Sequence, residues 1–105
     1  MSTIEDRVIR KLFLGFIHIH ILHHAAQKPI YGLWMIEELA RHGYQLSPGM
    51  LYPLLHAMEN QNLLQRDDRL VDGKIRKYYT ITPQGTQVLE EARQKAAELF
   101  RELTD

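Results

Sequence analysis

The stretch from Ser47 to Asn62, SPGMLYPLLHAMENQN, places an amphipathic helix in the middle of the chain and leaves the flanks to supply its partners. Ser47 suits an N-cap, and Pro48 suits the first helical position, where a missing N–H costs nothing. Leu51, Leu54, Leu55 and Met58 then fall at i, i+3, i+4 and i+7, one apolar stripe. The opposite side presents Ser47, Gly49, Tyr52 and His56, none of which a core requires. A helix that is small and polar on its outer N-terminal side suits the DNA major groove, but it equally suits an ordinary core helix with a solvated back. Pro53 removes the hydrogen bond to the Gly49 carbonyl, a defect of about 3 kcal/mol in a helix interior. The helix either carries this defect or begins later, near Met50.

The flanks narrow the choice. Residues 5–26 carry Ile9, Leu12, Phe13, Phe16, Ile17 and Ile19 around more than half of a helix's circumference, so more than one partner must bury it. The alternating HIHI run at 18–21 could be a strand, but the apolar set continues at helical spacing on both sides. Lys28-Pro29 ends this helix. A second helix over about 32–42 places Leu33, Ile36, Leu39 and Ala40 on one face and stops at Gly43, a suitable C′ residue. A brief turn then leads into the central helix, giving a helix-turn-helix. Beyond Asn62 the period changes. Leu64–Val71 and Ile75–Ile81 flank Asp72-Gly73, the signature of a two-residue hairpin turn. Thr82-Pro83 opens a last helix with Gly85, Leu89, Ala92, Ala96, Leu99 and Leu103 at steps of four and three, a coiled-coil-like seam.

The order is helix, helix-turn-helix, β-hairpin, long helix. It predicts a mainly α fold with a β-hairpin wing, a winged helix-turn-helix in residues 1–82 followed by a C-terminal dimerisation helix in 83–105. Of the 105 residues, 45% are apolar, more than one small domain readily hides, which points to a homodimer. Thirteen Lys and Arg balance thirteen Asp and Glu, so no global basic field announces nucleic acid. The charge is local instead, because residues 66–82 hold five basic against three acidic side chains. With no cysteine there is no thiol metal site or nucleophile. No signal-peptide order opens the chain and no apolar run is long enough for a bilayer, so the expected location is the cytoplasm, without a membrane partner.

At this point the residues resemble the PadR family of transcriptional regulators. The likeness rests on KPIYG at 28–32, LSPGMLYPLLHAMENQNLL at 46–64 and RKYYTITPQG at 76–85, in order and at family spacing over roughly residues 12–90. Two departures stand out. Gly32 is followed by Leu33 where the family commonly has tyrosine, with Tyr31 before and Trp34 after. The chain also carries one terminal helix where longer members have several, as in the family's short subgroup, in which that helix makes the dimer. The resemblance implies a dimeric, sequence-specific DNA-binding regulator, a repressor released by a small hydrophobic effector, with no cofactor and no catalysis.

Residue by residue, the expected DNA contacts are Ser47, Gly49, Met50, Tyr52, Pro53 and His56 on the helix, and Arg66, Arg69, Lys74, Arg76 and Lys77 around the wing. Tyr52 could reach a phosphate from the helix N-terminus or pack against the wing. A two-residue turn would set Arg69 opposite Arg76, a destabilising pair unless a phosphate lies between them or a longer loop separates them. The expected dimer contacts are Leu12, Phe16, Leu89, Ala92, Ala96, Leu99, Phe100 and Leu103. Such a two-fold would set the recognition helices roughly 34–36 Å apart on a pseudo-palindromic operator. His18, His20, His23 and His24 invite a metal-sensing alternative, but 18 and 20 point to different helix faces and a site needs three or four converging ligands. The expected metal set is none. A winged-helix protein adaptor that does not bind DNA is the remaining alternative, favoured by the zero net charge. The only serines are Ser2 and Ser47, and adjacent carboxylates such as Glu37-Glu38 do not converge, so nothing assembles enzyme chemistry.

Overall fold

The computed structural model describes residues 4–105. Its elements are α1 (Ile4–Gln27), α2 (Gly32–Arg41), α3 (Pro48–Asn60), β1 (Leu64–Val71), β2 (Lys74–Ile81) and α4 (Pro83–Thr104). The HIHI run is helical. Among the described residues no helix is long and apolar enough to cross a membrane.

The core lies where the C-terminal half of α1 meets α2, α3 and the base of the hairpin. Ile21, Met35, Leu39, Leu51, Leu55 and Met58 are sealed from solvent, joined by Ile30, Leu64 and Tyr79. The expected α3 stripe therefore faces inward, with Leu54 at its margin. The α2 stripe is corrected by about one residue. Gly32, Met35 and Leu39 are buried, whereas Leu33 and Ala40 are exposed, Leu33 at 58%. Two non-local contacts set that rotation. Ile30 pairs with Tyr79 in both directions, N–H to carbonyl at 2.9 and 2.7 Å, adding a one-residue strand beside β2. Gly32 sits beneath the Tyr52 ring, where a Cβ would come within 2.6 Å of it.

Both turns of the helix-turn-helix unit close by the same device. After α2, Gly43 at φ 87° sends its N–H to Ala40 while Tyr44 reaches back to Leu39. After α3, Asn62 at φ 61° bonds to Glu59 and Leu63 to Met58. Each is the paired C-terminal closure that a left-handed residue permits, with asparagine serving in place of glycine the second time. At its other end α3 starts at Pro48 and runs through Pro53. Ser47 holds the N-cap position in extended backbone, but its side chain makes no capping bond.

The hairpin register is the expected one, with Leu70 opposite Ile75, Arg69 opposite Arg76 and Asp68 opposite Lys77. Asp72 and Gly73, at φ 50° and 76°, make the turn that matches the twist of the strands. Thr82 caps α4 by accepting from the Gly85 N–H at 2.9 Å, and its own hydroxyl donates to the Asn62 carbonyl at 2.7 Å.

Candidate nucleic-acid interface

Tyr52 of α3, the start of α2 and the distal half of the wing border one open groove of about 730 Å³, walled by Tyr31, Leu33, Tyr52, Asp72, Lys74, Arg76 and Lys77 among others. Ser47, Gly49, Met50, Pro53 and His56 are all exposed on α3, and Tyr52 is half-exposed at its edge. The ring edge and hydroxyl of Tyr52 lie over Gly32 at the start of α2, and the residue forms part of the groove wall.

The wing cations fall into two groups. Arg66 is held by Asp68 at 3.3 Å and Glu59 at 3.9 Å, and Arg69 by Asp67 at 2.9 Å. Lys74, Arg76 and Lys77 pair with no carboxylate among the described residues. Arg69 and Arg76 do stand opposite each other, but aromatic rings take up their charge. Arg69 lies 4.5 Å over Tyr78, Arg76 lies 4.2 Å over Tyr31, and Arg76 donates to the Tyr78 hydroxyl at 3.4 Å. With Asp67 on the same face, these contacts offset part of the repulsion between the two guanidinium groups. Sequence reasoning missed Tyr31 and Tyr78 as supports. The signal was the even spacing of 76 and 78, which puts them on one face of β2.

The helix-1 histidines gather elsewhere, between α1 and α2. His24 and His42 approach Glu38 Oε1 at 3.6 and 3.7 Å, with Arg41 on its other oxygen at 3.2 Å. The His20 ring lies 4.6 Å from that of His42 and 5.7 Å from Tyr44, and Trp34 edges onto His24 at 5.3 Å. His18 turns away and bonds the Leu14 carbonyl at 2.7 Å. No group of three or more His, Asp or Glu among the described residues has a geometry that could hold a metal ion.

Burial, then the neighbouring His42, His24 and His23, holds His20 below the usual imidazole value against the pull of Glu38. Burial does the same to His24, opposed by Glu38 and helped by His23, His42 and Lys28. Both sites favour the neutral ring in the folded state, while the unfolded chain takes up these protons near pH 6.5. Stability is therefore complete above about pH 6.5 and falls as the pH drops from there through the lower folded-state values. Thermal midpoints measured between about pH 7.5 and pH 5 should decline, and His20→Gln should flatten that decline.

The expected dimer residues divide. Leu89 is buried in the subunit's own core and Ala92 is half-buried, while Ala96 is exposed. Leu99, Phe100 and Leu103 on α4, and Leu12 and Phe16 on α1, remain open, from 39% exposed at Phe16 to 74% at Leu103. Val8, Ile9 and Phe13 extend the same apolar surface along α1. Phe16, Ile19, His20, His23, Ala92 and Arg93 line an open, mainly apolar cleft of about 310 Å³ between the two helices.

Comparison with known proteins agrees with this architecture. Residues 21–91 match the family described as transcriptional regulator PadR-like. The transcriptional regulator Rv3488 of Mycobacterium tuberculosis (strain H37Rv) is 48% identical over 95 residues, 90% of this chain and 89% of that protein. A PadR-like transcriptional regulator from Bacillus cereus strain ATCC 14579 superposes with a TM-score of 0.80 at 30% identity, covering 90% of this chain and 93% of the other. A PadR family regulator from Eggerthella lenta DSM 2243 does so with 0.74 at 27% identity, covering 97% and 94%.

Proposed function

Given that the chain belongs to the PadR-like family of transcriptional regulators, we propose that it binds a pseudo-palindromic operator in double-stranded DNA as a homodimer. In this reading α3 enters the major groove by the face that carries Ser47, Gly49, Met50, Pro53 and His56. Tyr52 and the wing cations hold the phosphate backbone on either side. The observation that carries it is the groove beside α3, whose walls include Tyr52 and also Lys74, Arg76 and Lys77, free of carboxylate partners among the described residues. Arg66 and Arg69, already paired with acids, contribute less. Residues 1–82 then act as the DNA-reading unit and 83–105 as the dimerisation helix, although Gly85 and Leu89 are buried in the winged-helix core. The place of action this implies is the cytoplasm.

The uncovered faces of α1 and α4 support the dimer, and the cleft between them supports a small hydrophobic effector that relieves repression. Its walls are apolar, with two histidines and Arg93 available to orient a polar group. Wing substitutions test the DNA contacts. Arg76→Ala and Lys77→Ala should weaken binding nearly uniformly across sequences and lower the salt slope by about one. Changes at Gly49 or His56 should alter sequence preference with the slope intact. Wing variants with unchanged affinity and slope would remove the wing from the interface and favour a protein partner.

A further inference from the structure

The exposed part of α3 is short of the side chains that read bases by hydrogen bonds. Between Pro48 and Ala57 there is no arginine, lysine, asparagine, glutamine or carboxylate. The bidentate partners of guanine and adenine are thus missing from the part of a recognition helix that meets base edges. The first side-chain amide is Asn60, at the last residue of the helix. Of the polar groups present, Tyr52 is drawn aside over Gly32, and His56 Nδ1 lies 3.7 Å from Glu59 Oε1.

What α3 offers instead is apolar. Met50 is 60% exposed, a large flexible side chain that the subunit core does not use. Pro53 and Ala57 follow it at i+3 and i+7, both exposed, on the same side of the helix. Gly49, beside them, adds no side chain and lets the backbone come close to whatever α3 docks on. The only strongly apolar feature of the major groove is the C5 methyl group of thymine. The lysines and arginine of the adjoining groove supply the charge complement that makes DNA, rather than an apolar peptide, the matching occupant.

Resting on the DNA-binding reading above, we infer that α3 distinguishes its operator by contact with thymine methyl groups, with Met50 as the main reading residue and Pro53 and Ala57 beside it. Burying one methyl is worth about a fourfold change in affinity, so a symmetric pair of thymines carries about fifteenfold. Discrimination is then built from several small apolar steps rather than from one guanine contact.

The test uses the full-length protein and a pool of random-sequence duplexes. Sites selected from the pool are remade with deoxyuridine at each thymine in turn, which removes only the C5 methyl. Expected are thymines in both half-sites whose replacement weakens binding about fourfold each, with an unchanged salt slope. Met50→Ala, an exposed substitution that should leave the fold intact, removes the contact from both half-sites and is expected to weaken the thymine duplex by about fifteenfold. It should also make the key positions indifferent to deoxyuridine. Equal affinity for thymine and deoxyuridine duplexes, or sites that depend on guanine N7 when tested with 7-deazaguanine, would overturn the inference while leaving DNA binding in place. Absence of salt-dependent binding to any duplex would instead overturn the DNA-binding reading on which it rests.

Discussion

Leu99→Glu should sediment as a monomer, keep its helical spectrum and lose operator binding. Leu99 is 55% exposed in the isolated subunit, so a glutamate there disturbs no internal packing. Its effect falls on what covers it. The chain has a radius of gyration of 15.1 Å and extents of 52 × 36 × 24 Å. A compact chain of about 100 residues would have roughly 13 Å. The excess comes from helices that project past the core with apolar side chains along them: Val8, Ile9, Leu12 and Phe13 on α1, and Leu99, Phe100 and Leu103 on α4. A two-fold that packs α4 against its mate and against the partner's α1 would bury both sets together. The substituted carboxylate would then be buried twice, once per subunit, and an unpaired buried charge costs roughly 3–5 kcal/mol. Dimer affinity should fall by more than about a thousandfold. A monomer brings one α3 to a site built for two, so operator affinity should collapse although no DNA contact was changed. Sedimentation and gel shift together decide the matter. A folded Leu99→Glu dimer with normal operator affinity would refute this assembly.

The parts of the fold legible in the sequence are those fixed by local rules. Strand side chains alternate, and Asp72-Gly73 demands positive φ at both turn positions, so the wing register follows from the turn alone. The apolar stripe of α3 follows from helical spacing. The parts that were not legible depend on distant residues. The rotation of α2 is set by the Ile30–Tyr79 bridge and by Tyr52 over Gly32, and neither leaves a trace in the periodicity of residues 32–42. Leu33 and Leu39 are equally apolar, yet one is exposed and the other sealed. The seam of α4 is continuous in sequence, whereas its first turns serve the subunit and its last turns do not. The interface shows the same division. Its cations could be named from the sequence, but not all of their partners. Asp68 beside Arg66 and Asp67 beside Arg69 follow from the two-residue spacing along β1, but only the fold brings Glu59 to Arg66 and Tyr31 to Arg76.

Gly85→Ala should lower stability by at least about 2 kcal/mol, against the gain of about 1 kcal/mol that alanine usually brings to a helix interior. A Cβ at this position would collide with the Leu63 carbonyl oxygen and lie 2.8 Å from Ile81 Cγ1. Ile81 can turn aside, but the Leu63 carbonyl cannot. It accepts the Thr82 N–H at 3.1 Å, and the preceding Asn62, in its left-handed conformation, accepts the Thr82 hydroxyl at 2.7 Å. Thr82 in turn receives the Gly85 N–H, so the end of α3, the base of the wing and the start of α4 are tied in one small loop of hydrogen bonds. Relieving the collision means either opening that loop or tilting α4 away from it. Overpacking of this kind costs typically 1–3 kcal/mol, and the lost bonds add to it. A 2 kcal/mol loss lowers the midpoint of a domain this size by roughly 8–16 °C. Operator affinity should fall further than stability alone accounts for, since tilting α4 changes the separation of the two recognition helices. Gly49→Ala provides the contrast within the same protein. Only Ser47 Oγ lies near its Cβ, at an ordinary 3.8 Å, so the same substitution there should raise stability slightly while disturbing DNA recognition. A Gly85→Ala protein that melts at or above the wild-type temperature would show that α4 does not rest on Leu63 in the folded chain.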